Sequence, residues 1–170
     1  AGPRTDMAGN PYAGTGGNPI DFRTIDALTR IFEIQGAGHT SAYNGKLVNT
    51  RGVVTAIDTS GTKGFWIQDP EGDGNLATSD AVFVFSSAAV RVGDLVELQA
   101  VVEEYRGSDA NNLTVTELTH IENLTVLSGG NTVAPTIVGS GGRLVPTEVV
   151  DSDGFSVFNP QVDAIDFYES

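Results

Sequence analysis

Cysteine is absent from the 170 residues, so no disulfide can staple the fold, and thiolate metal sites and cysteine nucleophiles are excluded. Lysine is almost absent: Lys46 and Lys63 are two of nine basic residues, set against 22 acidic ones for a net charge of −13. Phosphate backbones are held mainly by Lys and Arg that release counterions, so the charge argues against a broad basic nucleic-acid patch. No stretch approaches the roughly 18 apolar residues of a membrane span, and no basic-then-apolar leader opens the chain. The expectation is a soluble chain, with an excised piece of a longer protein equally consistent.

What is present points to strands. Twenty-one glycines accompany a vocabulary rich in Val, Thr, Ile and Phe and poor in long helical periodicities, which argues for one all-β domain of short strands and tight turns. The acidity is uneven. Residues 31–130 hold five basic and thirteen acidic groups, a net of −8, and residues 131–170 hold one and six. Such a balance suits a divalent-cation binder, a secreted protein kept soluble by repulsion, or a salt-adapted one.

Residues 1–30 read as a linker or arm, Gly, Pro and Asn rich over the first nineteen. The segment TIDALTRIFEI, 24–34, predicts a short helical turn followed by a strand, with Thr24 or Asp26 as cap. The first clear strand is KLVNTRGVVTAIDTS, where Gly52 predicts a bulge or bend. In GFWIQD, Phe65 and Ile67 share one face and Trp66 and Gln68 the other. AVFVFS, 81–86, completes a hairpin with it across an acidic loop. LVELQAVVEEYRG places Val96, Leu98, Ala100 and Val102 on one parity and Leu95, Val101 and Tyr105 on the other, and RGSDANN turns the chain into LTVTELTHIENLTVLSG. Five strands in this rhythm over 31–130 fit an OB-fold-like barrel. The tail, 131–170, carries three of the seven prolines and reads as an extended wrap anchored by Phe155, Phe158, Ile165, Phe167 and Tyr168.

Several motifs occur in a recognisable order: I-Q-G-x-G-H-T-S at 34–41, GVVTA at 52–56, GFWIQDP-x-GDGN at 64–75, NLTVTE at 112–117 and DFYES at 166–170. Together they resemble the OB-fold module of secreted bacterial nucleases. In that family the module precedes an endonuclease/exonuclease/phosphatase-type catalytic domain, with a phrase like DFYES at the junction. The resemblance covers about residues 31–170. It implies an extracellular, non-catalytic part of a nuclease, with the downstream catalytic domain as its partner and no membrane association.

The chemistry read from the residues agrees that catalysis lies elsewhere. Metal-assisted phosphodiester hydrolysis needs acids, a His base and Asn or Asp partners in one site. The two histidines, His39 and His120, each stand alone in sequence. His39, in a Gly-rich loop, is either a turn residue and strut or a metal or phosphate contact. No G-x-S-x-G and no P-loop pattern occurs.

The acidic loop carries the sharpest spacing. Asp69, Glu71, Asp73, Asn75 and Asp80 occupy the ligand positions of a calcium loop, with Gly74 at the sharp turn. Pro70 after the first position, Asp80 where a bidentate Glu is usual, and strand flanks all depart from an EF-hand. Two readings stay open: a strand-flanked Ca2+ loop, or a solvated acidic hairpin whose Gly and Asp residues satisfy turn geometry.

OB-folds bind oligonucleotides across strands two and three, where aromatics stack on bases. Trp66 is the candidate platform for DNA or RNA, with Lys63, Tyr105 and Arg106 bordering the same surface. The alternative is a Trp66 packed beneath the tail. Function therefore divides between a nucleic-acid-presenting module and a spacer, stabilised by calcium, that binds no nucleic acid.

Overall fold

The computed structural model describes residues 27–61, 63–148 and 150–170. The candidate caps Thr24 and Asp26, and most of the expected arm, lie outside them. Five strands build the molecule: β1 (Leu47–Asp58), β2 (Gly64–Gln68), β3 (Ala81–Val84), β4 (Leu95–Tyr105) and β5 (Val115–Ser128). They close into a barrel in the order β1-β2-β3-β5-β4. All pairs are antiparallel except β3 with β5, where Phe83 and Val84 run parallel to Glu117 and Leu118. This connectivity is that of an all-β OB-fold.

β1 closes the barrel by serving two neighbours. Its first half, Leu47–Val53, pairs with β4, and Val53–Asp58 pairs with β2. Gly52 sits at the changeover, as the bend expectation requires, but the bulge itself falls later, between Val54 and Ala56. The glycine is needed for close approach. A Cβ there would lie 2.9 Å from Ile31 Cδ1 and 3.0 Å from Ile67 Cβ. β5 bends differently: His120 and Asn123 adopt positive φ (50° and 53°) beside the register irregularities opposite Glu97–Val101. Left-handed residues at such shifts add twist and let a long strand curl.

Alternation fills the interior as the sequence predicts. Val96, Leu98, Ala100 and Val102 are buried to 1% or less, and Phe65, Ile67, Val82, Val84 and Leu118 meet them from the other strands. Truncating a fully buried Leu such as Leu98 to Ala in a core of this kind costs about 2–5 kcal/mol.

The expected turn-then-strand near residue 30 is corrected. An isolated bridge joins Leu28 to Asn49, and the helix follows it as α1 (Ile31–Gln35). Five residues cannot nucleate a helix alone. The Arg30 backbone N–H donates to Glu33 Oε2 at 2.8 Å, and Ile31 and Ile34, one turn apart and fully buried, drive the helix into the barrel end. Gln35 Nε2 then donates to the Ala81 carbonyl at 2.6 Å, fixing α1 to the start of β3.

The tail forms no barrel strand. It makes the bridges Val138 to Arg143 and Glu148 to Asp163 and ends in α2 (Ala164–Glu169), a helix where extended chain was expected. Among the predicted anchors Phe167 is buried, Phe158 and Ile165 are half-buried, and Tyr168 is 81% exposed. Phe167 is held under Arg143, whose guanidinium lies 4.3 Å from the ring centroid. Arg143 also donates to the carbonyls of Leu76 and Ser170, tying the acidic loop to the last residue. No helix among the described residues is long and apolar enough to cross a membrane.

Candidate nucleic-acid interface

The outer face of β2 and β3 follows from the same alternation that fills the core. Trp66 lies outward, directly opposite Phe83 in register, with ring centroids 4.8 Å apart at 53°. Phe83 lies flat because the neighbouring position is Gly64, where a Cβ would stand 2.2 Å from the ring. Trp66 is 39% exposed and Phe83 is 9% exposed, so the indole presents itself on a phenyl backing. It does not lie beneath the tail.

The indole opens into a groove of about 420 Å³. Its floor is β2–β3, one wall is Leu113–Thr116 from the β4–β5 loop and the start of β5, and the other is Ile165, Tyr168 and Glu169 of α2. Among the described residues Glu169 is the one charged side chain on its lining. Burial pushes the Glu169 carboxyl up, and a hydrogen bond from His39 acts against that shift. The groove can therefore stack a flat ring or cover an apolar edge, and the described residues give it no cation for a phosphate.

The other three expected contacts are dispersed. Tyr105 is 51% exposed at the end of β4, opposite Val115, and so adjoins the Trp66 groove. It lines a second groove of about 590 Å³ with Phe85, Glu103, Glu117 and Thr119. Glu103 and Glu117 face each other across β4 and β5. Burial, and then the charge of Glu103, raise the Glu117 carboxyl. Arg106 donates to the Ala110 carbonyl at 3.1 Å within its own loop. Lys63, in the β1–β2 loop, lies beside Ser86–Ala88. Neither basic residue lines the Trp66 groove.

The acidic loop, 69–80, is organised by a cation that the spacing argument did not include. Arg30 grips Asp69 with two bonds, Nε to Oδ2 at 2.6 Å and Nη2 to Oδ1 at 2.7 Å, and reaches Glu71 at 3.3 Å. Asp69 also accepts the backbone N–H groups of Glu71 and Gly72. Burial alone would raise this carboxyl, but Arg30 and the two N–H donors outweigh it and hold it below its ordinary range. Asp73 accepts the Asn75 N–H and the Thr78 hydroxyl, and Asn75 accepts the Ala77 N–H. Asp80 is pushed up by burial and by Asp73, and its Oδ1 lacks a partner. Gly72 and Gly74 both take the left-handed turn (φ 62° and 69°). The five predicted ligands do not converge: among the described residues they supply no three carboxylates with oxygens within 4.8 Å of one another. Their geometry is that of turn residues around an internal ion pair.

His39 stands where sequence spacing gave no partner. The chain brings it against Asp166 and Glu169 of α2, 127 and 130 positions away. Spacing could not have found this set, nor Phe83, Val115 and Tyr168 beside Trp66. Phe83 and Val115 carried a faint signal in strand parity; the residues of α2 carried none.

No protein-family model matches the chain, and no curated protein matches it. Among solved structures, the mitochondrial single-stranded DNA-binding protein Rim1 from S. cerevisiae is similar at 19% identity, over 51% of this chain and 99% of that one, with a TM-score of 0.33. So distant a likeness adds nothing to the connectivity of the barrel, which defines the class by itself.

Proposed function

We propose that this chain is the non-catalytic OB-fold module of a secreted bacterial nuclease, and that it presents single-stranded DNA or RNA to a catalytic domain elsewhere in the parent protein. The observation that carries the proposal is Trp66: a large aromatic held 39% exposed on the β2–β3 face of an OB barrel, where such folds engage oligonucleotides. Stacking of a base on an exposed aromatic contributes about 1–3 kcal/mol and tolerates any sequence. Tyr168 on the opposite wall offers a second ring.

The charge defines how such binding behaves. With no Lys or Arg among the described residues of the groove lining and a net charge of −13, phosphates gain little counterion release and feel repulsion. Binding is weak, and moderate salt strengthens it by screening, opposite to the usual trend. The test is a fluorescence-anisotropy titration of labelled single-stranded DNA, RNA and duplex at two salt concentrations. Saturable single-strand binding that Trp66→Ala weakens about tenfold is the expected result. Binding that is absent, or indifferent to Trp66→Ala, defeats the proposal.

A second reading is favoured by that same lack of cations: a structural spacer that positions the catalytic domain and touches no nucleic acid. Calcium is the stabilising ion suggested by the loop spacing. A melting temperature that rises with calcium while oligonucleotides do nothing selects this reading.

A further inference from the structure

His39 lies in the loop between α1 and β1, clasped edge-on by two rings of the tail. The Phe158 centroid is 5.2 Å from the imidazole at 79°, and the Phe155 centroid is 6.1 Å away at 87°. So oriented, Nδ1 stands 3.3 Å from Glu169 Oε2 and 3.6 Å from Asp166 Oδ1. Among the described residues, these three are the group of acidic and imidazole side chains whose ligand atoms all lie within 4.8 Å of one another.

Asp166 supplies the independent sign of a missing partner. It is 0% exposed, and Oδ2 accepts the Asn159 N–H at 2.5 Å. Its Oδ1, facing His39 Nδ1, has no hydrogen bond at all. A buried carboxylate oxygen left bare is costly. The surroundings add to the negative field, since the charges of Asp166 and Glu104 both act to raise Glu169. The bare oxygen and the Glu169 oxygen both border His39 Nδ1, so one cation seated there would meet all three groups.

The distances say what kind of cation fits. Ligands bound at about 2.0–2.1 Å in a tetrahedral shell stand about 3.3 Å from one another. The Nδ1–Oε2 separation equals that edge and the Nδ1–Oδ1 separation exceeds it by about 0.3 Å, and at 3.6 Å the second is too long for an N–H···O hydrogen bond. One imidazole nitrogen with two carboxylate oxygens suits a first-row divalent ion, unlike calcium, which takes six to eight oxygens.

We propose that His39 Nδ1, Asp166 Oδ1 and Glu169 Oε2 form a three-ligand site for a first-row divalent cation, zinc foremost, that staples α2 to the barrel. Solvent completes the shell, because the His39 and Glu169 side chains are 22% and 29% exposed. Asn159 acts from behind by holding the second oxygen of Asp166, as outer partners of metal carboxylates do. The ion closes a span of more than 120 residues, so it stabilises the native chain and fixes the α2 wall of the Trp66 groove. The site stands independently of nucleic-acid binding.

The test uses the whole chain after treatment with a chelator, titrated calorimetrically with zinc, manganese and calcium chloride and followed by thermal melting. Zinc is expected to bind one to one and to raise the melting temperature by roughly 5–10 °C at a hundredfold excess over Kd. His39→Asn is expected to abolish the response, Glu169→Gln to weaken binding at least tenfold, and Asp73→Asn in the acidic loop to leave it intact. Cobalt gives a readout that needs no variant: intense visible d–d absorption from the wild-type complex reports a tetrahedral shell. No one-to-one heat and no cobalt band overturn the proposal, and so does a zinc response retained in folded His39→Asn. In that event His39 is a hydrogen-bond partner of Glu169 only.

Discussion

The molecule carries two clusters of carboxylates, and they are built in opposite ways. In the loop at 69–80 the acids follow one another at ligand spacing, yet Arg30 and backbone donors hold Asp69, while Thr78 and the Asn75 N–H engage Asp73. Around His39 the acids come from the far end of the chain, and the buried Asp166 keeps an oxygen bare. Spacing along the sequence thus reports turn geometry as readily as a cation site. A bare buried oxygen occurs in both, on Asp80 in the loop and on Asp166 beside His39, and what discriminates them is convergence: only Asp166 has two further ligand groups within reach, so that its cost is one a shared ligand can offset.

The comparison can be broken most forcefully at Arg30. Arg30→Met leaves Asp69, whose side chain is 2% exposed, as a buried carboxylate without its cation. The expected loss is about 3 kcal/mol of stability in urea unfolding at pH 7. A loss below about 1 kcal/mol would mean that the loop is not organised by this pair.

Asp69→Asn has a smaller effect, about 1–2 kcal/mol at pH 7, and its pH dependence carries the diagnosis. The folded carboxyl lies below its ordinary 3.8. Its stabilisation is therefore complete above that value and is lost as the pH falls through the lower, folded-state value. Wild type and Asp69→Asn should converge in stability as the pH drops below about 3.8. Parallel curves through that window would show that the charge of Asp69 is not what Arg30 holds.

Asp73→Ala is expected to be the mildest. Its partners are an exposed hydroxyl and a turn N–H, so the cost is about 0.5–1 kcal/mol. Calcium up to millimolar concentration should leave the melting temperature of wild type and variant alike unmoved. A calcium-dependent rise that Asp73→Ala removes would restore the loop as an ion site and erase the contrast between the two clusters.

The barrel was legible because alternation is a local property. Val96, Leu98, Ala100 and Val102 lie on one parity, and the sheet buries that parity wherever the strand is placed. The same rule put Trp66 outside, opposite Phe65 and Ile67. Turn residues are local in the same way: Asp151 and Asp153 in the tail accept backbone N–H groups two to four residues ahead, as Asx turns do. Illegible were the features that join distant segments. Arg30 reaches Asp69 across 39 positions, and a short segment with two isoleucines became a plug instead of a strand because the barrel end offered it an apolar seat. The predicted basic border of the Trp66 surface failed for the same reason, since Lys63 and Arg106 were placed by loop conformation and not by strand parity.

The sequence by itself determined the class: five alternating strands, turns set by Gly and Asp, a net negative charge that argues against a broad basic surface, and one outward tryptophan. Each of these depends on nearest neighbours along the chain or on simple summation of charge. The tertiary structure alone decided which carboxylates are satisfied and which are bare. That question is settled by which segments approach one another when the barrel closes and the tail docks, and no local pattern encodes the partner of His39.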